Sequence, residues 1–300
     1  MKKVSLKSSL LLFLAASIWG VAFVAQSVGM DYMGPFSFNG ARFLLGSLVL
    51  LPLVLGRRKK DREKQVERAG LKITLLGGCC CGLALCAAAL CQQIGIMYTT
   101  VGKAGFITTL YIIIVPILGI FLKKKVPGRV WIGAVIAAFG MYLLCMSEKF
   151  SLSKGDTYVF ICAILFAVHI LVIDYFAPKA DCVELSCLQF LTAGIICSIL
   201  ALIVEKPQIS NFIDGIIPLA YAGIMSSGVA YTLQVVGQKD SDPTVASLIL
   251  SLESVVSMLA GWVILGQALN GRELLGCALV FGAVILVQLP VGENRKNKKI

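Results

Sequence analysis

The sequence predicts an all-α integral membrane protein of ten transmembrane helices, arranged as two inverted five-helix repeats. Three observations predict it. The chain is 58% hydrophobic and only 14% charged over 300 residues, against roughly 25% charged in soluble domains. Its apolar residues fall into ten long runs separated by short polar stretches. Residue pairs also recur at a fixed offset between its halves.

The runs cover about residues 8–29, 35–55, 73–97, 104–122, 130–146, 157–177, 185–205, 215–236, 244–266 and 273–290. Roughly 20 apolar residues cross the hydrocarbon core as a helix, and the fifth and tenth runs are short. In lipid every backbone group must be satisfied within a helix or a closed barrel. The runs are continuous and lack a period of two, so helices are expected. The first begins after Lys2, Lys3 and Lys7 and imitates a signal peptide. It runs on to about residue 30, longer than a signal h-region, so it reads as a retained span.

Trp19-Gly20 aligns with Phe166-Ala167, and Arg42-Phe43 with Gln189-Phe190, both at an offset of 147. Ala104 aligns with Ala246 and Leu110 with Leu252 at 142, and Gly133 with Gly276 within one residue of that offset. A half-length repeat in a multi-span protein marks many secondary transporters. An odd number of spans per half inverts the second half. The expected units are residues 1–146, 157–290 and a tail at 291–300, with the boundary in the loop 147–156 that contains Gly155.

The net charge of +11 would suggest nucleic acid in a soluble protein. Here the basic residues cluster between apolar runs, which instead sets membrane orientation. With the N-terminus inside, the cytoplasmic stretches hold 21 of the 26 Lys and Arg residues that lie outside the spans. Both termini are therefore expected in the cytoplasm, in a plasma membrane of the bacterial inner-membrane type. The polar stretch from Arg57 to Arg68 is read as a solvated loop that anchors topology.

Enzyme signatures fail. Gly102-Lys103 lacks the flanking residues of a phosphate-binding loop, since residue 97 is Met and residue 104 is Ala. Ser226 and Ser227 lack a nucleophile-elbow frame. Five of the eleven cysteines, Cys79, Cys80, Cys81, Cys86 and Cys91, share one apolar run, and the chain has one His. They read as small packing residues and not as a zinc site or a secreted disulfide framework. No cofactor, metal or nucleic acid is expected; the partners are the lipid bilayer and a small-molecule solute.

Glu253 lies about ten residues into its run, about 15 Å deep. A carboxylate there normally faces a cavity or a partner. Two readings stay open: contact with solute or proton, or hydrogen-bonded glue between helices. Trp19, Phe23 and Gln26 share one face of the first helix, and Phe166 and His169 hold the equivalent face of the sixth. Ser227, Tyr231 and Gln234 repeat the spacing on the eighth, and Tyr111 is the repeat mate of Glu253. Together they would form an aromatic, polar cavity for amphipathic solutes, with ordinary interhelical packing as the competing reading. His169 taken alone is read as a helix–helix hydrogen bond in preference to a proton relay. Arg42 is expected to pair with Asp31 or snorkel outward, and Asp174 to reach headgroups. Pro116 is expected to kink the fourth helix, and Gly77, Gly78 and Gly82 to allow close helix approach.

Several of these stretches resemble the EamA-domain branch of the drug/metabolite transporter superfamily. The first half carries Ser17-Ile18-Trp19-Gly20, Pro35, Arg42-Phe43, the segment VGKAGFITTLYIIIVP and Trp131-Ile132-Gly133. The second carries Ala246, Leu252-Glu253, Gly261, Leu265-Gly266, Gly276 and Gly282. Ser254 stands where the family often has Pro, which implies a straighter ninth helix, and Gln267 where it often has Glu. The resemblance implies a ten-helix carrier and leaves the solute open. The expected function is a secondary-active exporter of small amphipathic metabolites, amino acids or drugs by alternating access, with protons as candidate coupling ion. The competing classes are a non-transporting scaffold or receptor and a membrane-embedded enzyme.

Overall fold

The computed structural model describes residues 5–63, 70–99, 101–124, 126–145, 153–265 and 270–288, and among these it contains helices and no strands. The expected tail at 291–300, Lys2 and Lys3, residues 64–68 of the basic stretch, 147–152 of the boundary loop, and Gly266 and Gln267 lie outside the described residues.

The helices in chain order are α1 (Leu6–Gly29), α2 (Pro35–Glu63), α3 (Leu71–Ile96), α4 (Val101–Thr109), α5 (Tyr111–Phe121), α6 (Gly128–Cys145), α7 (Lys154–Phe176), α8 (Cys182–Val204), α9 (Ile209–Asp214) and α10 (Ile216–Ala220). A π-helical segment, Tyr221–Tyr231, follows. The chain ends with α11 (Thr232–Lys239), α12 (Pro243–Leu250), α13 (Leu252–Leu265) and α14 (Gly271–Gln288). Eight continuous or joined helices among the described residues are long and apolar enough to cross a membrane, where ten were expected. The other two apolar runs correspond to α6 and α14, of 18 residues each. They are the short fifth and tenth runs, and they pack along each other.

Polar residues punctuate the apolar runs where helices begin. The Ser5 hydroxyl accepts from Ser8 N at 3.1 Å. Ser153 and Asp156 form a reciprocal capping box on α7. Asp181 accepts from Val183 N and Glu184 N at the start of α8. Asp242 precedes Pro243 at the first position of α12. The start of α2 is capped from a distance: the Glu205 carboxylate, at the end of α8, accepts from Phe36 N, Ser37 N and Ser37 Oγ at 2.8, 2.7 and 2.5 Å.

Two expected loops begin or continue helices instead. Residues 57–63 extend α2, because Arg, Lys and Glu favour helix once outside the apolar layer. There Arg58 makes two hydrogen bonds to Glu184, at 2.9 and 3.3 Å, and Arg57 pairs with Asp181. Residues 154–156 of the expected boundary loop are already helical, since Ser153 caps them. Asp174 pairs with Lys124, beyond the end of α5.

The helices pack in matched pairs. α2 lies along α8; α3 lies along α7 and α8; the run from α10 to α11 lies along α1, with its π segment also against α2. α1 crosses α12 and α13, and α7 crosses α4 and α5. Glycines allow the approach of α3 to its neighbours: a Cβ on Gly78 would fall 2.3 Å from Leu188 Cβ, and one on Gly82 would fall 2.7 Å from the Gln189 carbonyl oxygen. Large apolar side chains such as Leu10, Leu48, Leu76, Leu83, Ile199 and Leu202 point outward and exposed. Such an apolar exterior over an equally apolar core is expected for helices in lipid.

Three of the apolar runs are irregular partway along their length. The fourth is interrupted at Leu110, six residues before Pro116, and the ninth at Ser251. Hydroxyls at the breaks take up main-chain carbonyls: Thr109 Oγ1 donates to Gly105 O at 3.0 Å, and Ser251 Oγ to Leu248 O at 2.7 Å. Such back-bonding bends helices. Ser254 Oγ donates to Ser251 O, so Ser in place of Pro does not straighten the ninth span. The eighth span widens into the π segment, where Ser227 Oγ donates five residues back to Ala222 O at 2.9 Å.

Candidate functional site

The irregular stretches surround one cavity, with an empty volume of about 450 Å³ counting the part open to solvent. From α1 it receives Trp19, Phe23 and Gln26, the predicted face; from α5 and α13 it receives Tyr111 and Glu253. Phe166 enters from α7, Tyr231 from the π segment and Gln234 from α11. These eight predicted residues meet in one place.

Two predicted residues do not line it. His169 is fully buried one layer behind, where Nε2 shares a hydrogen bond with Gln189 Oε1 at 3.0 Å and the ring stands 6.0 Å from the Tyr231 ring. Ser227 is fully buried against α2, where a Cβ on Gly46 would fall 2.8 Å from Ser227 Cβ. The π segment explains the second departure. Spacing counted on 3.6 residues per turn does not hold across the π segment, so the face it presents to the cavity is shifted. Ser226 accordingly lines the cavity.

The remaining walls were not predicted: Arg42, Gln92, Thr108, Ile170, Ser226 and Leu250. Ile170 lies four residues after Phe166 and was findable by spacing; Ser226 was hidden by the π register. Arg42 is the main correction. It neither snorkels nor meets Asp31, which is exposed in the turn after α1. It is 1% exposed, its guanidinium carbon 4.6 Å from the Phe43 ring centre and 5.8 Å from that of Phe38. Arg42 sits two turns inside α2 on the inward face, so burial against aromatic faces replaces the route outward.

The aromatic wall is held by ring contacts and a hydrogen bond. Trp19 and Tyr231 rings lie 4.5 Å apart, and Trp19 Nε1 donates to Ser226 O at 3.2 Å. The Tyr231 ring is backed by Phe190 at 5.9 Å. Across the cavity the Tyr111 hydroxyl donates to Glu253 Oε1 at 3.1 Å. Glu253 is 5% exposed and makes no ion pair among the described residues. Gln92 Nε2 donates to Thr108 Oγ1 at 3.3 Å.

Several lining atoms lack a partner. Arg42 Nε and Nη2, Gln26 Oε1 and Gln234 Oε1 are buried with no hydrogen bond among the described residues. Most buried polar atoms in folded proteins are bonded, so four at one cavity give it the capacity to bind a polar group. No cluster of three or more His, Cys, Asp or Glu that could hold a metal occurs among the described residues. The cysteines there are free thiols, most buried between helices, such as Cys86 and Cys197 with sulfurs 3.5 Å apart.

Comparison with known proteins adds the following. The EamA-like transporter family model matches residues 6–146 and again 153–289. An uncharacterized transporter of Archaeoglobus fulgidus is 31% identical over 93% of this chain and 85% of its own length. The uncharacterized transporter YoaV of Bacillus subtilis is 20% identical over 88% of this chain and 90% of its own. A solved crystal structure at 18% identity superposes with a TM-score of 0.73 over 93% of this chain and 96% of that one, a likeness of fold.

Proposed function

Because the chain belongs to the EamA-like transporter family, and is thus a multi-pass membrane transporter and not an enzyme, we propose that it is a secondary-active carrier. It exports small amphipathic metabolites, amino acids or drugs by alternating access. The observation that carries this reading is the central cavity, built where the fourth, eighth and ninth spans lose regular α-helix. Broken helices at mid-membrane, with unsatisfied polar groups facing a cavity, are how many carriers form a solute site. The eight predicted residues that meet there are its binding wall. Protons are the coupling ion we favour, because Glu253 is the one carboxylate in that wall among the described residues.

We read the fold as ten spans in two inverted five-helix halves, residues 1–146 and 157–290. Contacts between repeat mates support it. Phe43 and Phe190, 147 apart, stack parallel with centres 6.2 Å apart. Tyr111 and Glu253, 142 apart, share a hydrogen bond. The offset of 147 also carries Ser37 to Glu184 and Arg58 to Glu205, so the Ser37–Glu205 contact at one end of the α2–α8 pair answers the Arg58–Glu184 contact at the other. An axis in the membrane plane generates that exchange.

The transport reading is tested by comparing metabolites accumulated by cells with and without the protein, then measuring flux of the candidates into proteoliposomes. Saturable flux is expected; a scaffold gives none. The orientation we favour, with termini and residues 56–72 inside a plasma membrane, predicts that Lys60→Cys in a Cys-free background resists an impermeant thiol reagent on intact cells. Labelling from outside would reverse the topology.

A further inference from the structure

The polar atoms of the cavity are unequal witnesses to what it binds. Gln26 and Gln234 each offer a donor or an acceptor, depending on which way the amide is turned. The Arg42 guanidinium has donors only, in a planar fork, and keeps its charge. It is buried, it lines the cavity, and Nε and Nη2 have no partner among the described residues. The nearby Phe43 and Phe38 rings stabilise the cation but accept no conventional hydrogen bond from its N–H groups. The Glu253 carboxyl receives the Tyr111 hydroxyl and makes no ion pair with Arg42. A buried cation left in this state is costly unless an anion completes it.

We infer that Arg42 is the anion anchor of the cavity, and that the solute carries one planar carboxylate there with an apolar body against Trp19 and Tyr231. This rests on the cavity being the solute site. A carboxylate fits the guanidinium fork through two parallel hydrogen bonds. A single positive charge matches a single negative one, and among the described residues the cavity wall contains no second cation to meet a phosphate dianion. The ring pair of Trp19 and Tyr231, 4.5 Å apart, offers an apolar wall for the body of the solute. Monocarboxylates and zwitterions share this anchor; an ammonium on the solute would face Glu253.

The test is thermal stabilisation of the purified full chain in nanodiscs by three probes: 3-phenylpropionate, its neutral amide, and phenylalanine as the zwitterion. At least one carboxylate probe is expected to bind about tenfold or more tighter than the amide. Preference for 3-phenylpropionate or for phenylalanine tells monocarboxylate from zwitterion. Arg42→Gln should keep the fold, since the repeat mate at the same register of α8 is Gln189, and should reduce the preference to about twofold or less. Arg42→Lys, which keeps the charge and loses the fork, should fall between. Equal binding of amide and carboxylate by the wild type, no stabilisation by either carboxylate, or a preference that survives in Arg42→Gln would overturn the inference. The wild-type comparison decides even if a variant fails to fold. Carboxylate binding without flux in proteoliposomes would instead sink the transport reading and leave Arg42 as the anchor.

Discussion

Replacing Glu253 by glutamine is expected to leave expression and thermal stability near wild type and to lower solute flux, or its change with pH, by about tenfold or more. The change is nearly isosteric. Gln keeps an oxygen that can accept from Tyr111 at the observed 3.1 Å, so a side chain that only ties α13 to α5 would lose little. A carboxyl group that exchanges a proton or meets a cationic group of the solute cannot be replaced by an amide. Glu253 is buried at the break between α12 and α13, on the cavity wall. At that depth a carboxylate must be neutralised, paired or hydrated. The measurement is flux across a pH range in proteoliposomes, with Tyr111→Phe as companion. Wild-type flux and pH profile in Glu253→Gln would remove Glu253 from the mechanism.

A large loss of stability is expected from Gly20→Ala. Gly20 follows Trp19 on α1 where that helix meets α13, and a Cβ there would fall 2.6 Å from Val256 Cβ and 2.8 Å from Ser257 N. One of these is main chain, so the helices must separate. Overpacking of this kind costs about 1–3 kcal/mol and should lower the unfolding temperature by several degrees. The matched control is Gly282→Ala on α14, where a Cβ meets nothing within 4 Å; it should be neutral or slightly stabilising. Equal unfolding temperatures for the two variants would mean that α1 and α13 are not in close contact.

Much of the fold was legible because hydropathy reports what lies in lipid. All ten apolar runs correspond to helices, though two are short, and their starts follow capping residues such as Ser153 and Asp242. What hydropathy does not sense is backbone register. The break at Leu110, the break at Ser251 and the π segment leave composition unchanged, so they were invisible. The same blindness placed Ser227 on the wall in place of Ser226. Trp19, Phe23 and Gln26 were readable because α1 is regular, and helical spacing then fixes a face. Arg42 was misjudged for another reason. A basic residue within two turns of a helix end is ordinarily long enough to reach water, and only the packing of Phe38 and Phe43 shows that it turns inward.

The most direct test of the account is counterflow. Proteoliposomes loaded with a high concentration of unlabelled solute are diluted into a trace of the same solute carrying a label. A carrier whose central cavity opens to one side at a time exchanges outgoing for incoming molecules, so label should accumulate transiently above its external concentration and then decay. The overshoot should vanish in Arg42→Gln if the solute is a carboxylate. A monotonic approach to equal concentrations would indicate a channel, and no protein-dependent uptake of any solute that binds the cavity would contradict transport through it.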